Sequence, residues 1–267
     1  MDDLRGKVVV LTGASRGIGV AMARRLANEG ARLVLTARNA EELGRVGAEV
    51  GAARLVVADV SVAADRARLV AEACEVGPIA VLVNNAGLEV PLAVADLTED
   101  DVERQIAINL VAPLQLTRAV LPAMIAAGSG VIANISSMSG KSPTPYNAVY
   151  TATKFGLNGF TASLRIELEG TGVHAGVVCP SFVAEAGMWA DTGVKAPAMM
   201  REVPLEWVVD GLMRVIRGSG EVLVTPTPVR PLLAIGQLFT GLDGPMLRAL
   251  GVLDVLKSRA LATAGKR

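Results

Sequence analysis

Histidine, cysteine and aromatic residues are scarce in this chain. The 267 residues include one histidine, His174, and two cysteines, Cys74 and Cys179. Because His and Cys are the usual ligands of protein-bound zinc, this shortage predicts no metal site. The cysteines form no CxxC pair, and we interpret both as small buried hydrophobic residues of a protein in a reducing compartment. Aromatic residues make up 3% of a chain that is 51% hydrophobic, which indicates an aliphatic core.

An excess of either charge is also absent. Lys plus Arg and Asp plus Glu both number 26, so the formal net charge at pH 7 is zero. Nucleic-acid-binding domains usually carry a basic face, and the balance therefore predicts no nucleic-acid partner. The first predicted strand begins near Lys7, which leaves no room for a signal peptide, and no 18-residue apolar stretch indicates a membrane span. We expect a cytoplasmic protein.

Apolar β-branched segments alternate with helical segments along the chain. The predicted strands are Val8–Thr12, Arg32–Thr36, Arg54–Ala58, Ile79–Asn84, Gly130–Ile135, Val173–Cys179 and Val222–Thr225. Such strands are typical of a parallel sheet covered on both faces, and right-handed crossovers then bring the carboxyl ends of the strands to one ligand-binding edge. We predict an α/β fold: residues 1–227 form a single Rossmann-type, doubly wound parallel sheet of about seven strands. Residues 228–267 form an apolar helical extension of the same domain.

A glycine-rich turn follows the first strand and opens a helix. Its sequence is Thr12-Gly-Ala-Ser-Arg-Gly-Ile-Gly19, so the glycines are spaced G-x3-G-x-G. Glycines in this context permit a tight turn and a close approach to a pyrophosphate at the positive end of the helix. The motif predicts a dinucleotide site that includes Gly13, Ser15, Arg16, Gly17, Ile18 and Gly19.

The residues after the second strand indicate which dinucleotide is bound. A carboxylate there would bind the ribose 2′-hydroxyl of NAD, whereas an arginine suits the 2′-phosphate of NADP. The strand ends in Thr36-Ala37-Arg38 with no acid, and Arg16 lies in the glycine turn. Two guanidinium groups converging on one phosphate would form charge-assisted hydrogen bonds. We therefore predict NADP(H) in preference to NAD(H).

Tyr150 and Lys154 are four residues apart in a predicted helix, and Ser137 precedes the tyrosine by thirteen residues. Positions i and i+4 share one face of a helix, so the phenol and the ammonium are expected to be neighbours. A phenol has a reference pKa of about 10, and a neighbouring cation is expected to lower it. Such a tyrosine can act as a general acid or base in carbonyl chemistry near neutral pH.

In order and spacing, these motifs resemble the classical short-chain dehydrogenase/reductase family. The resemblance rests on the glycine turn, Asp59-Val60, Asn84-Asn85-Ala86-Gly87, Asn109, Ser137, Tyr150-x3-Lys154 and Pro180. It implies that Ser137 holds the substrate oxygen, that Tyr150 exchanges its proton, and that Lys154 binds the nicotinamide ribose and lowers the tyrosine pKa. It also implies that Asn109 supports a proton relay through water. A homodimer or homotetramer would form through the long helices after strands four and five.

The same resemblance extends the cofactor site beyond the glycine turn. It implies that Asp59, followed by Val60, contacts the adenine. It also implies that the turn containing Asn85, Ala86 and Gly87 supports the sheet beside the cofactor.

After the sixth strand the chain departs from the family pattern. Pro-Gly-x3-Thr is replaced by Pro180-Ser-Phe-Val-Ala-Glu185, in which backbone contacts of Val183 would still hold the nicotinamide. A carboxylate accepts from the nicotinamide amide but cannot donate to its carbonyl. Two alternatives remain open: Glu185 contacts the nicotinamide, or the loop is shifted and Glu185 faces solvent.

Substrate specificity is expected to lie in Phe182–Pro204 and in the C-terminal tail. Met188, Trp189, Met199 and Met200 indicate an apolar lid, since methionine adapts to irregular shapes. The tail from Pro228 to Leu256 is apolar at near-helical spacing, and Gly244-Pro245 is expected to divide it into two helical pieces. Three roles for the tail remain open: it covers the site, joins subunits, or makes peripheral contact with a membrane.

The sequence as a whole predicts an NADP(H)-dependent oxidoreductase that interconverts a ketone or aldehyde and an alcohol, on a lipophilic small-molecule substrate. One alternative is a 3-oxoacyl-thioester reductase, although no run of Lys or Arg near the site indicates a docking patch. Another is a non-catalytic NADP-binding sensor or scaffold. The intact set of Ser137, Tyr150 and Lys154 argues against the latter, because binding alone needs no proton donor.

Overall fold

Seven parallel strands form a single sheet in this computed structural model, which describes residues 1–189, 196, 201–226 and 229–265. The strands are β1 (Val8–Thr12), β2 (Arg32–Ala37), β3 (Arg54–Val57), β4 (Ile79–Asn84), β5 (Gly130–Ile135), β6 (Val173–Pro180) and β7 (Glu221–Val224). Their order is β3-β2-β1-β4-β5-β6-β7, and each pairing is parallel. The predicted doubly wound Rossmann-type sheet is therefore confirmed.

Helices cover both faces of this sheet. They are α1 (Gly17–Asn28), α2 (Ala40–Val50), α3 (Ala63–Val76), α4 (Glu99–Ile106), α5 (Ala112–Ala126), α6 (Ala148–Glu167) and α7 (Leu205–Ile216). The C-terminal tail adds α8 (Arg230–Leu238), α9 (Asp243–Ala249) and α10 (Val252–Ala264). Alternate residues of each strand face opposite sides, so Val9 and Leu11 join a core with α1, α2 and α7. Val8 and Val10 join a second core with α3, α5 and α6. Cys179 is buried as expected, but Cys74 is exposed on α3, so that prediction is wrong.

The helical region after β4 is continuous but irregular. Between α4 and α5 the residues Ala107–Val111 form a π-helical segment, a feature that often marks a functional site. Glu99–Ala126 is 28 residues long and has a mean hydropathy of 1.4 in its most apolar window, enough to cross a membrane, contrary to the expectation from sequence. Its buried residues Leu116, Val120 and Met124 pack against the sheet, which identifies it as a core helix.

Two further elements differ from the sequence-based expectation. Helix α7, which is not among the predicted elements, supplies the crossover between β6 and β7. The tail forms three helices, and its breaks lie at a turn over Thr240–Leu242 and at Leu250-Gly251. Pro245 lies inside the first turn of α9, where a missing N–H removes no intrahelical hydrogen bond. The predicted division at Gly244-Pro245 is therefore wrong.

Candidate active site

The glycine turn between β1 and α1 has no room for side chains. Gly13 and Gly17 adopt φ angles of 66° and 55°, which disfavour other residues. A Cβ atom on Gly19 would lie 2.0 Å from the Gly13 carbonyl oxygen. Asn85 fixes the turn from the end of β4, because its Nδ2 donates to the carbonyl oxygens of Thr12 and Gly13 at 3.0 and 3.1 Å. The bare backbone at the start of α1 fits a pyrophosphate group.

A cleft of about 700 Å³ runs from this turn along the carboxyl ends of β1, β2 and β3. It brings together the predicted cofactor residues Gly13, Ser15, Arg16, Gly17, Ile18, Gly19, Arg38, Asp59, Val60, Asn85, Ala86 and Gly87. These residues would hold an extended dinucleotide, with the adenosine end near Arg38 and Asp59. Among the described residues, no group of three or more His, Cys, Asp or Glu side chains is arranged to hold a metal ion.

The adenosine end of the cleft contains an acid that the sequence reasoning missed. Arg16 Nε donates to Glu42 Oε1 and Oε2 at 2.7 and 2.6 Å, and Ser15 Oγ donates to Glu42 Oε2 at 3.4 Å. Hydrogen bonding from Arg16 holds the pKa of Glu42 below its ordinary value. Of the two arginines predicted to share one phosphate, Arg16 is therefore paired with a carboxylate of the protein itself. Glu42 lies in the first turn of α2 beside Glu41, and no signal in the sequence distinguishes the two acids.

Asp59 is ordered at the rim of the same cleft. Its Oδ1 accepts from Ser61 N and Ser61 Oγ at 2.9 and 2.6 Å, and its own N–H donates to Asp65 Oδ2 at 2.8 Å. Burial alone would raise the pKa of Asp59, but the hydrogen bonds from Ser61 and the nearby Arg38 lower it overall. The carboxylate is therefore ionised and fixed in position at neutral pH.

The three predicted catalytic residues meet where β5 and α6 approach each other. Ser137 follows β5, and its Oγ accepts from Ser139 N at 3.1 Å. Tyr150 and Lys154 lie on the inner face of α6, with exposed fractions of 7% and 3%, and Lys154 Nζ donates to the Ile135 carbonyl oxygen at 3.0 Å. The neighbouring Ser136 is buried, and its Oγ donates to the Lys154 carbonyl oxygen at 3.4 Å.

Burial dominates the protonation of this group. It raises the pKa of Tyr150, with Glu89 adding to the rise and hydrogen bonding with Ser137 opposing it. Burial also lowers the pKa of Lys154 to about 8. The expected lowering of the phenol pKa by Lys154 is therefore not found, because both groups are withdrawn from water together.

Asn109 lies within the π-helical segment, and its side-chain amide holds the loop after β4. Its Oδ1 accepts from Leu88 N at 2.7 Å, and its Nδ2 donates to the Leu88 carbonyl oxygen at 2.7 Å and to Thr153 Oγ1 at 3.3 Å. Thr153 Oγ1 in turn donates to the Tyr150 carbonyl oxygen at 2.7 Å. These contacts use the side-chain amide for positioning, and the predicted water relay stays a prediction.

An apolar cavity of about 210 Å³ adjoins the cofactor cleft. Ser137, Tyr150, Lys154, Pro180 and Val183 line it, so the remaining predicted site residues lie here. Ile18, Asn85, Gly87, Gly187 and Met188 line both spaces. The predicted catalytic residues Ser137, Tyr150 and Lys154 therefore line a small apolar chamber that shares part of its wall with the larger cleft.

Glu185, in the loop after β6, lies against the start of α7 and not in the cofactor cleft. Glu185 Oε2 accepts from the N–H of Leu205, the first residue of α7, at 3.1 Å, and the side chain lines neither cavity. Val183 pairs with Val203 in a parallel β-bridge and is 4% exposed. Glu185 is therefore exposed and outside the cofactor cleft, as in the second alternative, and its carboxylate stabilises the start of α7.

The predicted lid and the tail both contribute to the wall of the cavity. Trp189 packs against Phe182 with ring centroids 4.3 Å apart, and Met188 lies at the junction with the cleft, whereas Met199 and Met200 lie outside the described residues. The C-terminal helices contribute Leu233, Met246, Leu247, Leu250, Leu256 and Arg259. Covering the site is therefore one role of the tail. Arg259 and its partner Glu89 are wall residues that the sequence reasoning did not identify.

Comparisons with known proteins agree with this geometry. The family model described as short chain dehydrogenase matches residues 7–195. The ketoacyl reductase HetN of Nostoc sp. is 39% identical over 97% of this chain and 94% of its own length. A metagenomic short-chain oxidoreductase solved with NADP is 36% identical, with a TM-score of 0.72 over 84% of this chain and 99% of that chain. A variant of actinorhodin polyketide ketoreductase with NADPH is 32% identical, with a TM-score of 0.75 over 82% of this chain and 95% of that chain.

Proposed function

The chain belongs to the short-chain dehydrogenase family and is an oxidoreductase, and we propose that it is an NADP(H)-dependent enzyme that interconverts a lipophilic ketone or aldehyde and the corresponding alcohol. The observation that carries the proposal is the position of Tyr150 and Lys154 beside the junction of the dinucleotide cleft and the apolar cavity. A substrate carbonyl in the cavity would then reach both the proton donor and the cofactor.

The chain's own residues have distinct tasks in this scheme. Bound NADP(H) would supply or accept the hydride. Negative charge develops on the carbonyl oxygen during reduction, and the hydroxyl of Ser137 is the donor that would stabilise it. Tyr150 keeps its proton because burial raises its pKa, and it is the group that would protonate that oxygen. Lys154, protonated below pH about 8, provides a cation beside the phenol.

The preference for NADP(H) rests on charge at the adenosine end. Arg38 is exposed at the end of β2 and lines the cleft, where it would meet a 2′-phosphate. The solved structures similar to this chain that are described above contain NADP or NADPH. Arg16 is less available for that phosphate, because its side chain is paired with Glu42. Arg38 is therefore the principal phosphate ligand in this proposal.

The lipophilic substrate is proposed from the cavity wall. Most of the side chains that line it are apolar, among them Met188, Trp189, Leu233, Leu247 and Leu250. An apolar cavity of roughly 150 Å³ holds one benzene molecule. In proportion, the cavity of about 210 Å³ suits a group of roughly eight non-hydrogen atoms.

A 3-oxoacyl-thioester reductase is the second candidate. Its support is that the Nostoc relative is named a ketoacyl reductase and the actinorhodin relative a polyketide ketoreductase. Such a substrate would place its reactive carbonyl at Tyr150 and extend a long arm out of the cavity. Reduction of an acetoacetyl thioester faster than of any simple ketone would favour this candidate.

The test is an NADPH and NADH oxidation screen over ketones, aldehydes and 3-oxoacyl thioesters, with Tyr150→Phe as the matched control. Wild type is expected to oxidise NADPH with a lipophilic carbonyl, and Tyr150→Phe to lose turnover while it binds NADPH nearly as well. A largely active Tyr150→Phe variant would contradict the scheme. NADPH binding without turnover of any carbonyl would favour the sensor or scaffold alternative.

The assembly and location of the protein are further parts of the proposal. We propose that residues 228–267 extend the domain formed by residues 1–227, and that the protein is a cytoplasmic homodimer or homotetramer. Exposed apolar residues on the two long helical regions, Ile106, Val111, Ile125, Phe155 and Ile166, support that assembly. Peripheral membrane contact through Ile235, Leu238 and Phe239 of the tail is a weaker proposal, and vesicle flotation would test it.

A further inference from the structure

A buried ion pair joins the C-terminal tail to the loop after β4. Arg259 Nη1 and Nη2 donate to Glu89 Oε1 and Oε2 at 2.6 and 2.7 Å, which is a bidentate arrangement. The side chains of Arg259 and Glu89 are only 5% and 10% exposed. Arg259 comes from α10, and the pair spans 170 residues of sequence. The match to the family ends at residue 195, so this contact joins the core that the family shares to a C-terminal segment that the match does not cover.

Arg259 also contacts the predicted lid. Its Nη2 donates to the Met188 carbonyl oxygen at 3.0 Å, and its guanidinium carbon lies 5.3 Å from the centroid of the Trp189 ring. Trp189 Nε1 donates to Glu202 Oε1 at 3.1 Å. One guanidinium group of the tail therefore contacts two other segments around the cavity, the loop after β4 and the lid.

The loop that carries Glu89 is fixed to the catalytic helix. Leu88, the preceding residue, is held at both its amide and its carbonyl by Asn109, which also contacts Thr153 of α6. Glu89 therefore presents its carboxylate from a rigid position. The tail can move away from the cavity only if the contact with Glu89 breaks.

We propose that Glu89 and Arg259 form a latch that holds the C-terminal helices over the substrate cavity and thereby determines which substrates the enzyme retains. The inference rests on the proposed function for its kinetic consequence. Arg259 acts through the helices it positions: with the latch broken, Leu247, Leu250 and Leu256 no longer cover the cavity. The contacts that are lost are those with the apolar part of the substrate, distant from the reacting carbonyl. Breaking the latch therefore raises KM more than it lowers kcat.

The kinetic test compares Arg259→Met with Arg248→Met, a control that changes an exposed arginine of α9. Decanone has eleven non-hydrogen atoms and would reach the wall formed by the tail, whereas butanone, with five, would not. In Arg259→Met we expect KM for decanone to rise roughly tenfold, as for the loss of about 1.4 kcal/mol of substrate binding. We expect the NADPH dissociation constant to stay within about twofold and KM to rise less for butanone than for decanone. The charges of Glu89 and Arg259 also act on Tyr150, so a change in kcat should be the same for both ketones. The Arg259→Lys variant keeps the positive charge but cannot make the bidentate contact, so its KM for decanone should lie between those of wild type and Arg259→Met.

A second measurement reports the opening without any turnover. Trp189 is 8% exposed, and Trp207 is the other tryptophan of the chain. In a Trp207→Phe background, acrylamide should quench Trp189 emission weakly in the parent and in Arg248→Met, and several-fold more strongly in Arg259→Met. If wild type reduces no carbonyl, the proposed function fails, while the quenching still tests the latch.

A double variant separates the latch from the cost of leaving one charge buried. Glu89→Gln with Arg259→Met removes both charges and should recover the melting temperature that Arg259→Met loses. The latch predicts that KM for decanone and the quenching stay raised in this double variant. The proposal is overturned if both return to wild-type values together with the melting temperature, or if Arg259→Met changes neither.

Discussion

The Lys154 ammonium nitrogen lies 5.4 Å from the centroid of the Tyr150 ring, and both side chains are almost completely buried. This arrangement places the amine close enough to influence the phenol but withdraws both from water. Burial raises the pKa of the phenol and lowers the pKa of the amine to about 8, so at neutral pH the phenol keeps its proton and the amine is still charged. The site therefore holds the proton that carbonyl reduction consumes, with a cation beside the oxygen that would give it up.

The rate of carbonyl reduction is expected to fall as pH rises through about 8. Lys154 loses its proton there, although Glu89 and Cys179 partly oppose this effect of burial. Above that pH the phenol lacks a neighbouring cation to stabilise the phenolate formed when it donates its proton. The measurement is kcat/KM for NADPH-dependent reduction between pH about 6 and 10. A flat profile across this range would show that the charge on Lys154 is not required.

Replacing Lys154 by Met is expected to abolish activity and to stabilise the fold. The fall in the lysine pKa from 10.5 to about 8 corresponds to roughly 3 kcal/mol of destabilisation at pH 7. Lys154→Met removes this destabilisation, but it also loses the hydrogen bond to the Ile135 carbonyl, which costs about 1 kcal/mol of stability. The variant should therefore melt several degrees higher in a thermal scan at pH 7.

The pH dependence of stability provides the control for that variant. Because the folded-state pKa of Lys154 lies below that of the unfolded chain, the unfolded state binds more protons between pH about 8 and 10.5. The contribution of Lys154 to stability therefore rises with pH across this interval. The advantage of Lys154→Met should shrink correspondingly. A variant that is less stable than wild type at pH 7 would contradict the assigned pKa.

Local sequence patterns predicted the sheet and the grouping of Ser137, Tyr150 and Lys154. Each strand is a short apolar run, and the spacing of Ser137, Tyr150 and Lys154 is fixed by one strand end and one helix. Such features depend on near neighbours in the chain. The paired asparagines Asn84 and Asn134, whose side chains bond at 2.8 Å, depend on the register between β4 and β5.

Contacts between distant segments were not predictable in the same way. Glu42 and Arg259 look like ordinary charged residues of helical surfaces until the fold brings them to Arg16 and Glu89. The raised pKa of Tyr150 has the same origin. A four-residue spacing indicates that a cation is near, but not how much water the folded protein removes from both groups.

Replacing Glu42 by Gln is expected to tighten NADPH binding by about two- to fivefold, the range for loss of an exposed ion pair. The carboxylate now pairs with Arg16 at the adenosine end of the cleft, and its removal frees the guanidinium for a 2′-phosphate. NADH lacks that phosphate, so its affinity should change less. Fluorescence titration with both cofactors measures the ratio, and Glu41→Gln in the same helical turn is the control. Weaker NADPH binding in Glu42→Gln would show that the carboxylate itself contacts the cofactor.

Replacing Glu185 by Ala is expected to lower stability without changing cofactor affinity. The carboxylate accepts from Leu205 N at the start of α7, and loss of such a contact costs about 0.5–1 kcal/mol. Glu185→Gln keeps the acceptor without the charge and should lose less. Thermal unfolding and the dissociation constants for NADPH and NADH measure the two effects separately. Glu185→Thr, which restores the family residue, should bind NADPH no more tightly, because this side chain faces α7. A several-fold change in NADPH affinity in any of the three variants would return Glu185 to the nicotinamide site.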